Sequence, residues 1–423
     1  MNTEAPQPTN PGRCHVTVIG AGIVGITCAY DLRKEGHDVT VLDREPPGQG
    51  CSFGNAGLLA RSSFMPVGGP GTLLAVPGYL LDPLGPLAIR WSYLPRMLPW
   101  LLRYIRSCAA DNVHAAAAAL QVLTDPTVDE FEKLAAEIGR SDLVQVSDYL
   151  YVFESQKAFG KMDAEIRFRE AKGTKVERLV GDQIHVLEPD LADRYRYAYQ
   201  ILDHGFTYDP EGLVKALAEA FVRAGGEIRQ CEVRDVEIGP DGPTGVVTDQ
   251  GTLAVEKLVV AAGAFSGPFA ERVGAPVPLD TERGYHVTLP DPGVRVSRPI
   301  MSGEGHFLVT PMAMGLRIAG TVEFAGVHAP PNYARARVLL THGRRMFPGL
   351  NTDDHTEWMG RRPTLPDSLP VIGHAPKFAN VVLAFGHQHV GLTCAPRTAK
   401  IVSDLIGGRT PNIDLSPYRA DRF

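Results

Sequence analysis

Near the N-terminus, the pattern of hydrophobic and polar positions changes from that of a strand to that of a helix and back to that of a strand. Residues 15–19 are a run of β-forming side chains, residues 23–34 follow a helical pattern, and residues 37–42 alternate as in a second strand. Gly36 is placed to end the helix in the left-handed conformation. A strand–helix–strand unit of this kind is typical of a parallel sheet, so we predict a doubly wound α/β domain.

The middle of the chain has a different pattern. Residues 212–225 predict a helix, and short strand-like runs separated by turn residues follow at 231–238, 245–248 and 252–255. They predict an antiparallel meander. The apolar run 258–263 then predicts a buried strand that ends on glycine.

These patterns divide the chain into two predicted domains. The doubly wound domain is discontinuous, and the second domain is α+β with an antiparallel sheet. The predicted segments are 13–88, 206–275 and 351–423 for the first domain and 89–205 and 276–350 for the second. The polar, proline-containing residues 1–12 predict a disordered tail.

Composition narrows the function classes. The 423 residues include 42 Lys and Arg against 48 Asp and Glu, a net charge of −6 that argues against nucleic acid as a partner. Six scattered cysteines without a C-x-x-C pair predict neither a disulfide framework nor a zinc site, and they fit a cytoplasmic location. No H-E-x-x-H-like spacing occurs, so no metal is predicted.

The strongest local motif is a glycine fingerprint between the first predicted strand and helix. Gly20 permits a tight turn, Gly22 lets the backbone approach a pyrophosphate, and Gly25 lets the helix pack close to the strand. Asp43, 18 residues after Gly25, is placed to bind a ribose hydroxyl and disfavours a 2′-phosphate. A strand–turn–helix without ligand is the alternative, and the motif alone does not separate FAD from NAD.

Further segments, together with this fingerprint, resemble the D-amino acid oxidase-like flavoproteins, and most closely the D-amino acid dehydrogenases. They are residues 52–58 (SFGNAGL), 262–266 (AGAFS), 360–367 (GRRPTLPD) and 386–393 (GHQHVGLT). The resemblance runs from Val16 to about Leu405. It implies a Rossmann-type FAD-binding domain, non-covalent FAD, and a second domain whose sheet covers the flavin.

The resemblance also implies which residues contact FAD. The turn within residues 386–393, called the C-terminal turn below, and the helix after it would stabilise the negative charge of reduced flavin, as a helix N-terminus does. The implied cofactor residues are Gly20, Gly22, Ile23, Val24, Gly25, Asp43, Arg44, Ser52, Asn55, Ala56, Gly57, Leu58, Val233, Ala262, Gly263, Gly386, His387, Val390, Gly391, Leu392 and Thr393.

Two residues are implied for catalysis. Arg362, in the Gly-x-Arg-Pro segment, would bind the substrate carboxylate and direct the substrate Cα–H at flavin N5; a structural arginine is the alternative. Tyr285 matches a glycine–aromatic segment and would lie near the substrate, with a packing role as the alternative. His306 and His389 receive no role as general base, because relatives transfer hydride from the neutral amine.

Residues 91–106 combine aromatic, apolar and basic side chains. We interpret them as a helix of the second domain whose leucines pack inward, because the apolar positions follow helical spacing. These positions are Leu94, Leu98, Leu101, Leu102 and Ile105. The alternative is a helix at a membrane interface, with peripheral attachment to the inner face of the plasma membrane.

The resemblance implies oxidative deamination of a D-amino acid or cyclic imino acid of the D-alanine, D-proline or hydroxyproline type. Hydride would pass from Cα to flavin N5, and the electrons then to a quinone or another acceptor. Two alternatives stay open: an oxidase of glycine or sarcosine that uses O₂, and a non-catalytic FAD-binding subunit of a larger complex.

Overall fold

A computed structural model describes residues 13–423, so the tail predicted at 1–12 lies outside the described residues. The strands of the described part, in chain order, are β1 (His15–Ile19), β2 (Asp38–Asp43), β3 (Leu58–Leu59), β4 (Leu87–Ile89), β5 (Gln145–Phe153), β6 (Val176–Val180), β7 (Tyr197–Phe206), β8 (Glu227–Gln230), β9 (Val233–Gly239), β10 (Gly242–Thr248), β11 (Gly251–Ala254), β12 (Lys257–Val260), β13 (Asp280–Leu289), β14 (Ile300–Ser302), β15 (Phe307–Met312), β16 (Gly315–Phe324), β17 (Thr356–Thr364), β18 (Val371–Ala375) and β19 (Phe378–Phe385).

Helices pack against the sheets that these strands form. The helices of the described part are α1 (Ile23–Lys34), α2 (Pro70–Leu81), α3 (Leu94–Ser107), α4 (Ala110–Thr124), α5 (Thr127–Glu137), α6 (Gln156–Ala171), α7 (Asp182–Leu187), α8 (Pro210–Arg223), α9 (Ser266–Arg272), α10 (Ala334–Met346) and α11 (Gly391–Ile406).

The first sheet has six strands in the order β18-β19-β12-β1-β2-β8. β1 lies at its centre, parallel to β2 and β12, and its Val16 and Val18 are fully buried. Only the β18–β19 pair is antiparallel. Gly36 has φ +94°, the left-handed conformation expected after α1. The predicted doubly wound α/β domain is therefore confirmed.

The predicted meander forms a separate sheet of three antiparallel strands in the order β11-β10-β9. β12 follows it directly and returns the chain to the six-stranded sheet beside β1. β19 then pairs with β12. Because α11 follows β19 and packs against α1, the C-terminal turn lies next to the glycine turn at the carboxyl ends of the parallel strands.

The second sheet has ten strands, eight of them in the order β17-β13-β16-β15-β14-β5-β7-β3, with β4 paired to β16 and β6 to β7. Most pairs are antiparallel, and β14–β5 and β16–β4 are parallel. One face packs on α10 through a core that includes Val287, Ile318 and Leu339. β3 and β17, which the predicted boundaries place in the first domain, belong to this sheet, as does β4, which the boundary at residues 88 and 89 divides.

The predicted inward face of the 91–106 helix is wrong at three of its five positions, whereas Leu101 packs inward as predicted. A 3₁₀ turn at Trp91–Tyr93 precedes α3, and Leu98, Leu102 and Ile105 are exposed. The buried residues of α3 are Met97 and Trp100, packed against β16 with Phe324. Two apolar stripes run along this helix, and the bulkier stripe, which contains Met97 and Trp100, packs against the sheet. Within residues 13–423, no helix is long and apolar enough to span a membrane.

Candidate active site

A cavity of about 650 Å³ opens where the glycine turn, the β12–α9 connection, β17 and the C-terminal turn meet. Most of the implied cofactor residues line it, although the sequence scatters them over more than 350 positions. Those lining it are Gly20, Gly22, Ile23, Val24, Asp43, Arg44, Ser52, Asn55, Val233, Ala262, Gly263, Gly386, His387, Gly391 and Leu392.

The other implied cofactor residues are not part of this lining. A Cβ at Gly25 would lie 1.9 Å from the Gly20 carbonyl oxygen, so this glycine permits the close packing of helix and strand. Gly57 has φ +76° and leaves no room for a Cβ beside Thr207. The remaining members of this group are Ala56, Leu58 in β3, and the buried Val390 and Thr393.

The glycine turn, residues 20–25 where β1 leads into α1, leaves space above the backbone at Gly22. Gly20 has φ +114°, and a Cβ there would lie 2.4 Å from the Ala261 carbonyl oxygen. Above Gly22, by contrast, only Ser52 Oγ lies within 4 Å, at 3.5 Å. Asp43 Oδ2 accepts a 2.7 Å hydrogen bond from the amide of Ala21. The carboxylate therefore holds the turn open toward the cavity.

The 52–58 loop is fixed by two buried side chains that the sequence did not single out. Arg317 Nη1 donates to the carbonyl oxygens of Phe53 at 3.0 Å and Asn55 at 2.6 Å. His286 Nδ1 donates to the Gly54 carbonyl at 3.1 Å. Burial lowers the pKa of Arg317 to about 10 and that of His286 to about 3. Both lie on strands of the second sheet, so this sheet positions a loop of the cavity.

Arg362 lies on β17, opposite Glu282 of β13. A Cβ at Gly284 would lie 2.2 Å from Arg362 Nη2, so the glycine makes room for the guanidinium. Its one hydrogen bond is long, 3.4 Å from Nη1 to the Thr321 carbonyl. In the described part of the chain no carboxylate lies within 4.0 Å of it, and burial lowers its pKa. A desolvated cation without a paired anion is suited to an anionic ligand.

Glu282 is a buried carboxylate on the same face of the sheet as Arg362. Thr364 Oγ1 donates to Glu282 Oε1 at 3.1 Å, and Gln388 Nε2 donates to Thr364 Oγ1 at 2.9 Å. Burial raises the pKa of Glu282, and the charge of Arg362 opposes this shift. These bonds connect β13, β17 and the C-terminal turn, so they set the distance between Arg362 and the cavity.

The structure contradicts the placement of Tyr285 beside the substrate. Its side chain lies in the core between the second sheet and α10. Its hydroxyl donates to Glu323 Oε2 at 2.5 Å and accepts from the Asn332 amide at 3.0 Å. Side chains alternate along β13, so Tyr285 faces away from Glu282 and Arg362. The packing alternative describes this tyrosine.

Two histidines of the C-terminal turn are neutral at neutral pH. His387 Nε2 lies 3.0 Å from Thr398 Oγ1 in a buried hydrogen bond, and burial lowers its pKa to about 3. His389 has an exposed side chain, and desolvation by the surrounding protein and the charge of Arg362 lower its pKa to about 4. Neither side chain adds a positive charge to that of Arg362.

Trp358 and Arg361 also line the cavity, and sequence reasoning gave them no role. The Trp358 ring stacks on His286 with centroids 4.9 Å apart, directly over Gly54. Arg361 Nε donates to the Val327 carbonyl at 2.7 Å. Among residues 13–423, no group of three His, Cys, Asp or Glu side chains is arranged to hold a metal ion.

Comparison with known proteins agrees with this geometry. A family model described as FAD dependent oxidoreductase matches residues 15–405. The chain is 41% identical to a D-amino-acid oxidase of Bradyrhizobium diazoefficiens, covering 97% of this chain and 99% of that protein. It is 29% identical to D-amino acid dehydrogenase 1 of Mesorhizobium japonicum, covering 96% and 99%.

Solved structures share the fold. A glycine oxidase from Bacillus cereus superimposes with a TM-score of 0.71 at 19% identity, covering 97% of this chain and 99% of that one. An L-proline dehydrogenase from P. horikoshii superimposes with a TM-score of 0.72 at 19% identity, covering 98% of each chain. At such identities the superpositions establish the architecture alone.

Proposed function

The chain belongs to the FAD dependent oxidoreductase family, and on that premise we propose that it oxidises a D-amino acid or cyclic imino acid of the D-alanine, D-proline or hydroxyproline type. Relatives named as a D-amino-acid oxidase and a D-amino acid dehydrogenase match nearly the whole chain, which supports a D-amino acid as the substrate class. The observation that carries the proposal is Arg362, a desolvated guanidinium without a carboxylate partner among residues 13–423. It lies on the same strand face as Trp358, which lines the cavity.

The cavity fits FAD. Its volume of about 650 Å³ lies in the range of cofactor pockets, and open space lies above the glycine turn where a diphosphate would contact backbone amides. The α11 N-terminus has no acidic residue in its first turn and opens toward the same cavity. When bound, FAD supplies the acceptor for the hydride that leaves the substrate Cα.

Arg362 would bind the substrate carboxylate through two charge-assisted hydrogen bonds and so fix the orientation of Cα. The site offers the carboxylate no competing anion in direct contact with this arginine among the described residues. Glu282, whose pKa is raised by burial, accepts a hydrogen bond from Thr364 and does not pair with the guanidinium. This arrangement leaves the guanidinium free for the substrate.

No side chain is assigned as a general base. His387 and His389 have pKa values lowered to about 3 and about 4, so both imidazoles are uncharged at neutral pH and are weak bases. His387 is occupied by Thr398. The chain's own residues would therefore act by positioning the substrate and by stabilising charge, with the amine entering in its neutral form.

The test is an assay of the FAD-loaded protein with matched D- and L-amino acids. We expect D-alanine, D-proline or D-hydroxyproline to yield a keto acid with ammonia, or a cyclic imine, in the presence of an artificial electron acceptor. The L-enantiomers at the same concentrations serve as the control. Turnover of L-amino acids alone, or of no amino acid, would contradict the proposal.

For the electron acceptor we propose a quinone, supported by the relatives named as dehydrogenases. One observation favours O₂ instead: the relative at 41% identity is named as an oxidase. Reduced protein mixed separately with air-saturated buffer and with a soluble ubiquinone analogue separates the two. Faster reoxidation by the quinone is expected, and faster reoxidation by O₂ would make the protein an oxidase.

We also propose a cytoplasmic location. All six cysteines are free thiols, and Cys51 is exposed. Free, unpaired cysteines are typical of a reducing compartment. Fractionation of the source cells, with the protein detected by antibody, tests this, and recovery from an oxidising compartment would contradict it.

A further inference from the structure

The outer side of α2 and α3 is apolar although no part of the described chain covers it. α2 contains no charged residue, and none of its described side chains is fully buried. Leu74 and Leu81 are 86% and 83% exposed. A helix without charged residues is normally buried in a protein core or in contact with lipid. α2 is not buried in the core of the described chain.

α3 continues this surface. Its exposed residues Leu98, Leu102 and Ile105 are spaced as one stripe along the helix, and Trp91 precedes them at 69% exposure. Both helices pack beside β4, because α2 contacts β4 and the core of Met97 and Trp100 in α3 packs against Leu87 and Ile89 of β4. We define the α2–α3 surface as Leu74, Leu81, Leu84, Trp91, Leu98, Leu102 and Ile105.

The charges around this surface have one dominant sign. Between residues 65 and 110 the chain has four arginines and a single acidic residue, Asp82, in a protein whose net charge is −6. Arg90, Arg96, Arg103 and Arg106 are exposed, and in the described chain none has a carboxylate within 4.0 Å. Elsewhere many exposed arginines are paired, as in Arg140–Asp142.

We propose that the α2–α3 surface docks on an anionic lipid bilayer, with its apolar side chains in the interfacial region and its arginines on the phosphate groups. Aromatic, leucine and arginine side chains together are the composition of interfacial helices. A second copy of the chain fits less well, because a two-fold contact would bring the same unpaired arginines against each other.

The inner side of α3 joins this surface to the sheet that carries Glu282 and Arg362. The inner side of α3 packs on β16, with the rings of Trp100 and Phe324 5.5 Å apart. The hydroxyl of Tyr93, just before α3, donates to both carboxylate oxygens of Asp280, at 3.0 and 3.1 Å. Asp280 lies two residues before Glu282 on β13. This proposal does not depend on the substrate or on turnover.

The test is flotation of the FAD-loaded protein with vesicles of phosphatidylcholine and phosphatidylglycerol, compared with phosphatidylcholine alone. We expect the protein to float with the anionic vesicles, and high salt to weaken this binding. The triple variant Leu98→Ser/Leu102→Ser/Ile105→Ser should lower the partition coefficient at least about tenfold, because it removes the apolar contact. Arg103→Gln and Arg106→Gln should each lower it about fivefold.

The matched control is Val186→Ser/Val222→Ser, which removes exposed apolar side chains on α7 and α8. It should float as the wild type does. FAD absorbance of every variant verifies that the fold is retained. Three results would overturn the proposal: a wild type that stays unbound, a triple variant that floats normally, or a wild-type dimer in sedimentation that the triple variant dissociates.

Discussion

Replacing Arg362 by methionine removes the guanidinium and keeps most of the side-chain volume. In the described structure this arginine makes one hydrogen bond, of 3.4 Å, and no ion pair. Burial lowers its pKa, which means that the buried charge lowers the free energy of unfolding. The substitution should therefore leave the thermal midpoint unchanged or raise it, as when other buried charges are replaced by apolar groups.

The expected loss of activity follows from the two hydrogen bonds that a carboxylate would accept. A hydrogen bond to a charged group contributes about 1.5–3 kcal/mol, so two contribute about 3–6 kcal/mol. Since about 1.4 kcal/mol corresponds to a factor of ten, kcat/KM should fall roughly 10²–10⁴-fold. FAD content should stay the same, because Arg362 does not line the cofactor cavity.

The assay compares a D-amino acid with its amide, which lacks the carboxylate. The wild type should strongly prefer the acid, and Arg362→Met should lose this preference. Arg361→Met is the matched control, since Arg361 donates to the Val327 carbonyl and its side chain alternates to the other face of β17; it should keep the preference. An Arg362→Met variant that still discriminates acid from amide, or unfolds at lower temperature, would refute the reasoning.

Three further outcomes are expected. Gly22→Val should purify folded but without the visible flavin band, because its γ-carbons enter the space above the glycine turn; full flavin content would contradict this. Arg317→Met should raise the FAD dissociation constant at least about tenfold in a fluorescence titration, since the carbonyls of the 52–58 loop lose their donors; unchanged affinity would count against it. His387 is buried with its pKa lowered to about 3, so the unfolded chain takes up a proton below about pH 6.5 that the folded chain does not, and stability is lost as pH falls. Between pH 7 and pH 5 the wild type should lose about 2 kcal/mol more stability than His387→Gln, in which His286 still contributes its own loss. Parallel pH curves for the two proteins in urea unfolding would argue against this.

Local patterns were enough to predict the doubly wound domain and its glycine turn. Strand, turn and helix follow one another within residues 15–43, so their geometry depends on neighbours in sequence. The C-terminal turn was identified through the family resemblance, and the structure brings it to the same cavity. Those parts of the fold and site could therefore be predicted from the sequence.

Long-range contacts could not be predicted from the sequence in the same way. Arg317 holds a loop more than 250 residues earlier, and no spacing along the chain signals such a bond. Tyr285 was misplaced because the face that a strand residue occupies depends on the parity of its position, which the motif did not define. α3 has two apolar stripes, and only the packing of Met97 and Trp100 on β16 decides which one is buried.

The most direct test of the central claim is an anaerobic titration of the FAD-loaded protein with single amino acids, followed by visible absorbance. Oxidation of a substrate at this site requires the flavin band to bleach without any other reactant. We predict bleaching by D-alanine, D-proline or a related D-amino acid, and none by the L-enantiomers at the same concentrations. A flavin band unchanged by every D-amino acid, or bleached only by L-amino acids, would contradict the account.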